Sequence, residues 1–392
     1  MISEKLKPLM ANNSVIRAMF EEGTKMREKY GSENVYDFSL GNPNVPAPPQ
    51  VNEAMIRLLK EGETDLHAYM NNAGFPEVRE IVAQTINKAH GTNFNKGNII
   101  MTCGAAGGIN VALNVIMNPG DEALIFVPFF LEYIWHVNNV DGKIVGVKTD
   151  KNFMPDLADF EAKITDKTRV LILNSPNNPT GVVYPEEVIV AIAEILERKQ
   201  NEFNRTMFIL SDEPYRELAY EGILVPYVTK YYPNTIVAYS FSKSLSLPGE
   251  RIGYLVIPSE MEEAQLVFDT ASNANRILGF INAPSLIQKV IGECIDAKVD
   301  IDYYDRNRLA LYNMITELGF ECIKPKGAFY LFVKSPMEDD KAFVEAAKKY
   351  RLLFVSGAAF GSPGYVRLAY CVSYETILNS KESFRKLAEE TL

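Results

Sequence analysis

Histidine and cysteine are scarce in this chain: three histidines (His67, His90, His136) and four cysteines (Cys103, Cys294, Cys322, Cys371) among 392 residues. No two cysteines stand at CxxC spacing and no two histidines at HxxxH, so neither a zinc finger nor a metalloprotease helix is written here. A chain of this length buries enough apolar surface to fold without disulfide staples, and reduced thiols are expected. No run of ~18 apolar residues occurs, which excludes a transmembrane helix. The first residues, Met1-Ile2-Ser3-Glu4-Lys5-Leu6-Lys7, carry charge too early for a secretory signal, so a cytoplasmic protein is expected. Basic residues are outnumbered: 40 Lys and Arg against 50 Asp and Glu leave a net charge of −10. That balance argues against nonspecific binding to nucleic acid or anionic membrane, while leaving room for a local basic pocket that holds a phosphate. Internal repeats, low-complexity tracts and a GxGxxG loop are absent as well.

What is present is the making of a sizeable core. Hydrophobic residues form 47% of the chain, with 20 Tyr and 21 Phe, and the length suggests two domains. Short, continuous apolar runs at Ile99–Thr102, Glu122–Val127, Lys143–Val147, Arg169–Asn174, Met207–Ser211, Ile236–Ser240 and Arg251–Ile257 read as strands covered on both faces. Amphipathic stretches lie between them, Pro185–Lys199 for example, with Pro185 suited to a first helical turn. The alternation predicts an α/β fold with a largely parallel sheet and right-handed crossovers. A proline-rich stretch from Asn42 to Pro49 reads as a linker. After about residue 280 a mainly helical stretch leads to Gly319, then shorter strands (Phe329–Val333, Tyr365–Tyr370) and helices (Asp339–Tyr350, Tyr374–Glu390). The expected division is an N-terminal segment, 1–47, packing with the small domain; a large domain, 48–280; and a small α+β domain, 281–392.

In a parallel α/β sheet, ligands sit beyond the carboxyl ends of the strands. Polar or small residues follow four predicted strands: Asn174–Pro179, Asp212, Ser240–Lys243 and the loop Gly104-Ala105-Ala106-Gly107-Gly108. Each has a plain alternative. The small-residue loop could cradle a phosphate with backbone N–H groups at a helix start, or be only a tight turn. Most lysines are solvated; Lys243, flanked by Ser240, Ser242 and Ser244 at a strand end, is a better nucleophile if burial and nearby cations lower its pKa from ~10.4. Asp212 could cap a helix and Tyr215 could pack in the core. Arg251 and Arg367 could be surface ion pairs.

Their order along the chain adds what no single residue carries. Asn177-Asn178-Pro179-Thr180-Gly181, Asp212-Glu213-Pro214-Tyr215, Ser240-Phe241-Ser242-Lys243 with Arg251-Ile252-Gly253-Tyr254, and Tyr365-Val366-Arg367-Leu368 follow one another. This pattern resembles the class I/II aminotransferases of the fold-type I enzymes dependent on pyridoxal 5′-phosphate (PLP), aspartate aminotransferase-like, over nearly the whole chain. The resemblance implies that Lys243 holds PLP as a Schiff base and moves the substrate proton. It implies that Asp212 faces the pyridine nitrogen and keeps it protonated, with Asn178 and Tyr215 on the ring's 3-hydroxyl oxygen. Phe130 matches the ring-stacking aromatic, though a core role competes. Gly104, the backbone of Ala105 and Ala106, the hydroxyls of Ser240 and Ser242, and Arg251 would hold the phosphate. The family often carries a side-chain donor where Ala106 stands, so more of the task falls to backbone and Arg251. Tyr69 matches a tyrosine that reaches the phosphate across a dimer interface, implying a twofold homodimer. Gly41, Asn178 and Arg367 would meet the substrate, Arg367 through a bidentate pair with its α-carboxylate. Ser14 and Val15 fall in a stretch that often covers the substrate as a lid.

The reaction so implied is ping-pong transfer of an amino group between an L-amino acid and a 2-oxo acid such as 2-oxoglutarate. A PLP-dependent C–S lyase of the cystathionine β-lyase kind is the nearest alternative, because the cofactor-holding residues are shared. A nucleotide-binding oxidoreductase and a catalytically silent PLP-binding regulator are further ones. Aspartate is the first expected donor, aromatic or other neutral amino acids next. Arg276 is a candidate cation for a distal carboxylate, a surface role being equally open.

Overall fold

The computed structural model describes residues 15–392. The stretch through Ser14 therefore lies outside the described residues, and of Val15 only its place at the head of a helix, Val15–Tyr30, is described. Contacts divide the chain into two compact units. The larger comprises Val45–Asn177 and Val182–Asp300; the smaller comprises the described residues up to Asn44, Asn178–Gly181 and Ile301–Leu392.

The larger unit is built on seven strands: β1 (Ile99–Thr102), β2 (Glu122–Phe126), β3 (Lys143–Val147), β4 (Thr168–Asn174), β5 (Phe208–Asp212), β6 (Thr235–Ser240) and β7 (Gly253–Val256). Their order in the sheet is β1-β7-β6-β5-β4-β2-β3. All neighbours run parallel except β7, which is antiparallel to both β1 and β6. The expectation of a mostly parallel, helix-covered sheet holds. Alternate residues of β1, β6 and β7 feed two separate cores: Ile99, Met101, Val237, Tyr239, Tyr254 and Val256 belong to one cluster, Ile100, Ile236, Ala238 and Leu255 to the other. Period-2 side-chain direction thus splits a continuous apolar run between the sheet's two faces, which is why these strands read as unbroken hydrophobic runs.

The reversal of β7 decides where polar residues meet. Gly253, its first residue, is in register with Thr102 at the end of β1 and with Ser240 at the end of β6. Two carboxyl ends therefore flank one glycine. Helix α1 (Gly104–Ile116) starts immediately after β1, and its Ile109, Val111, Ala112 and Leu113 enter the core. The loop at Gly104–Gly108 is a helix start and not a tight turn alone.

In the smaller unit β8 (Tyr330–Lys334), β9 (Val355–Ser356) and β10 (Tyr365–Ala369) form an antiparallel sheet ordered β9-β10-β8. Tyr36–Asp37 pairs in parallel with Leu352–Leu353, tying the N-terminal segment to this unit. The expected single helix over 374–390 is two, Tyr374–Asn379 and Lys381–Thr391. The break falls at Ser380, whose hydroxyl donates back to the Ile377 carbonyl, competing with the helical ladder. The helix expected from Pro185 runs Glu186–Phe203, with the proline just outside as its cap.

Gly253 is required by close approach. A Cβ there would lie 2.2 Å from the Tyr239 carbonyl oxygen and 3.0 Å from the Gly104 carbonyl carbon. Both obstacles are backbone and cannot rotate away. Gly253→Ala is expected to cost about 2 kcal/mol or more, read as a lower urea midpoint of the cofactor-free protein; an unchanged midpoint would contradict this packing.

Candidate active site

Asp212 ends β5 and is only 5% exposed. Its Oδ2 accepts a 2.5 Å hydrogen bond from the Tyr133 hydroxyl, and its backbone carbonyl accepts from Asn174 Nδ2 at 2.9 Å. Oδ1 is buried with no partner. Burial pushes the carboxyl up to about 7; the Tyr133 hydrogen bond opposes that rise and neighbouring Glu213 adds to it. Tyr133 lies on α2 (Glu132–Asn139), itself fully buried, with the half-buried Phe130 ring edge-on to it at 5.8 Å. Tyr133 has no chemical role among the sequence-based expectations. Its only signal was a third aromatic in Pro128-Phe129-Phe130-Leu131-Glu132-Tyr133, and buried aromatics are ordinary core.

One strand over, Ala238 of β6 is in register with Asp212, and Ser240 follows two residues later. Ser240 caps a short helix, α3 (Phe241–Ser244), by accepting from the Ser242 backbone N–H. Its hydroxyl also meets that of Ser242 at 2.7 Å. Lys243 rides on α3, half-buried. Arg251 leads into β7 in the left-handed region, φ 52°, and its Nη1 donates to the Pro248 carbonyl. A Cβ on Gly104, where φ is 70°, would sit 2.8 Å from Arg251 Nη2. Glycine here lets the guanidinium lie against the start of α1, where Ala105 is buried and Ala106 open to solvent. Tyr215 is buried close behind Asp212 in sequence.

Three complementary features thus share one unit. A buried carboxyl oxygen without a partner among the described residues could accept from a cationic ring nitrogen. A helix start, two serine hydroxyls and an arginine offer N–H and O–H groups to a phosphate, and a lysine amine directly follows the second serine. These residues fit PLP. Tyr69 is not among them: it stands 90% exposed beside a shallow cavity of about 320 Å3 lined also by His67, Met70, Phe280 and Ile281.

The smaller unit holds a second group. Arg367, in β10, is 2% exposed. Its Nη1 donates to Asn178 Oδ1 at 3.1 Å and its Nη2 to the Ser39 carbonyl at 2.7 Å, while Nε is buried without an acceptor. The Tyr330 and Phe360 rings lie 4.5 and 4.8 Å from its guanidinium carbon. Asn178 stays with this unit because the Gly181 carbonyl accepts from the Lys326 and Gly327 N–H groups. Gly41 lies under Tyr330. Arg276 is exposed on the helix Ala264–Ile277. All four cysteines are free thiols, and the described residues hold no group of His, Cys, Asp and Glu arranged for a metal ion.

A family model, aminotransferase class I and II, matches residues 32–382. The chain belongs to the class I and II aminotransferases. It is 32% identical over 391 residues to an aspartate aminotransferase of Pyrococcus horikoshii, covering 97% of this chain and 96% of that protein. An aromatic-amino-acid aminotransferase of Thermococcus litoralis is 30% identical over 403 residues, covering 99% of this chain and 98% of that protein. A solved amino transferase from Eubacterium rectale superposes with a TM-score of 0.97 at 44% identity, covering 100% of this chain and 99% of that one. The fold is that of the fold-type I PLP enzymes, and this aminotransferase uses PLP. The transferase reading stands over the lyase alternative.

Burial holds the Asp212 carboxyl at about 7 in the folded protein, well above the ordinary carboxylate range of about 4. The folded state therefore binds the extra proton between about pH 4 and pH 7, and this group lowers stability as pH rises through that window. In the cofactor-free aminotransferase, Asp212→Asn is expected to flatten the fall in thermal midpoint between pH 5 and 8 while weakening PLP retention. An unaltered pH slope would contradict the burial argument.

Proposed function

We propose that this aminotransferase takes L-aspartate as amino donor and 2-oxoglutarate as acceptor, working as a homodimer in the cytoplasm. The observation that carries the cofactor assignment is the buried Asp212 carboxylate with Oδ1 unpartnered and Oδ2 held by Tyr133. PLP, when bound, supplies the electron sink that lets a Cα–H bond break. Asp212 would keep a proton on the ring nitrogen. Tyr215 and Asn178 would donate to the 3-hydroxyl oxygen, and Phe130 would pack against the ring. Gly104, Ala105, Ala106, Ser240, Ser242 and Arg251 would hold the phosphate. Lys243 Nζ would take the Cα proton from the substrate and hand it on to C4′ of the cofactor. Arg367 binds the α-carboxylate, with Gly41 and Asn178 beside it.

Support for aspartate is the name of the Pyrococcus horikoshii relative. The Thermococcus litoralis relative favours a second reading, an aromatic donor, and the exposure of Arg276 leaves a distal carboxylate without a cation assigned inside the unit. Dimerisation is supported by Tyr69, exposed with Phe280 and Ile281 nearby, where a second copy would cover them.

Lys243→Ala is expected to lower the transamination rate by on the order of 1,000-fold or more, with loss of the borohydride-fixed cofactor adduct. Wild-type turnover in that variant would refute the assignment. A donor panel with 2-oxoglutarate should show aspartate with the highest kcat/KM; a higher value for phenylalanine or tyrosine would move the donor to the aromatic class. Sedimentation should give twice the chain mass, and a monomer with full activity would remove Tyr69 from the phosphate.

A further inference from the structure

Arg367 is a buried cation with no ion-pair partner among the described residues. Such a charge is costly to bury unless something offsets the lost hydration. Two neutral acceptors, Asn178 Oδ1 and the Ser39 carbonyl, and two aromatic rings, Tyr330 and Phe360, are what surround it. The difference between these offsets matters chemically. A fixed carboxylate would consume the edge N–H groups of the guanidinium. Rings facing the guanidinium stabilise the charge without taking any N–H, so Nε–H and the second N–H of each Nη remain for an incoming anion.

Strand register explains how Tyr330 reaches that position. Arg367 lies opposite Phe332 and Ala369 opposite Tyr330 on the β10–β8 pair. Tyr330 is therefore the diagonal neighbour of Arg367 on the same face of the sheet. The far end of its ring is fixed by a second contact: a Cβ on residue 41 would fall 2.0 Å from the Tyr330 hydroxyl oxygen and 2.8 Å from its Cζ. Any side chain at 41 would push the ring off its seat, so room for Tyr330 is a sufficient reason for glycine there.

We propose that Tyr330, aided by Phe360, is a positioning residue for the substrate's α-carboxylate: its ring holds the Arg367 guanidinium in plane with the edge donors presented, and Gly41 is glycine to admit it. This rests on the reading of Arg367 as the carboxylate-binding residue. The contribution is to binding common to ground and transition states, so it falls on KM for donor and 2-oxo acid alike.

The test uses the PLP-loaded enzyme and the variants Tyr330→Leu, Tyr330→Phe, Phe360→Leu and Arg367→Met. Tyr330→Leu should raise KM for both substrates by about five- to twenty-fold, with kcat and the PLP dissociation constant near wild type. Tyr330→Phe, which keeps the ring, should restore KM. Wild-type KM in Tyr330→Leu overturns the proposal, as does an equal rise in Tyr330→Phe or a kcat that falls in step with the rise in KM. If Tyr330→Leu does not fold, Phe360→Leu carries the same expectation and the same refutation. Arg367→Met separates the two layers: unchanged KM there sinks the carboxylate reading itself, whereas a large rise there with no effect at Tyr330 sinks only the role of the ring.

Discussion

A carboxylate taken out of water must be compensated, and Asp212 is compensated on one oxygen only. Tyr133 donates to Oδ2, Asn174 ties down the backbone carbonyl, and Oδ1 faces no protein donor. The imbalance shows in a carboxyl pushed up to about 7. Under the role proposed for Asp212, a cationic ring nitrogen at Oδ1 would relieve it. Much of the larger unit serves this placement: β5 delivers the carboxylate, α2 delivers the tyrosine, and Phe208, Leu210 and Tyr133 share one core.

The residues proposed to hold the phosphate depend on a different constraint, the reversal of one strand. Because β7 runs against β1 and β6, the carboxyl ends of those two strands converge on Gly253. That convergence sets the start of α1, the serines of β6 and α3, and Arg251 beside one another. Glycines at 104 and 253 are there because backbone and guanidinium come closer than a Cβ allows. The arginines of the two units are treated differently. Arg251 keeps contact with solvent and with a carbonyl at Pro248, whereas Arg367 is enclosed by aromatic faces and neutral acceptors.

All the expected strands are present, with ends shifted by a residue or two, because continuous β-branched and aliphatic runs leave little alternative once both faces of a sheet are covered. Strand direction was not legible: an apolar run looks the same in either sense, and the antiparallel β7 emerges only from pairing. The helix break at Ser380 was equally hidden, since the one hydroxyl that donates back to the Ile377 carbonyl leaves no mark on the helical periodicity. Asn178 shows the limit most clearly. It sits in the middle of the larger unit's sequence, yet its contacts, through Gly181 and Arg367, are with the smaller one.

By itself the sequence determined the α/β class, the family and the residue types able to do the chemistry: a lysine, an acid, two arginines and a small-residue helix start in a fixed order. The class follows from the apolar runs, whereas the family and the candidate residues come from the resemblance that the ordered motifs bear, and both are legible without a fold. Only the tertiary structure decided which oxygen of Asp212 is left unpartnered, that Tyr133 holds the other, and that Tyr330 and Phe360 surround Arg367. Aromatic residues are common core material, and nothing in their local sequence tells a packing ring from one that faces a buried charge. That distinction lies in register and long-range contact, where residues far apart in the chain become neighbours.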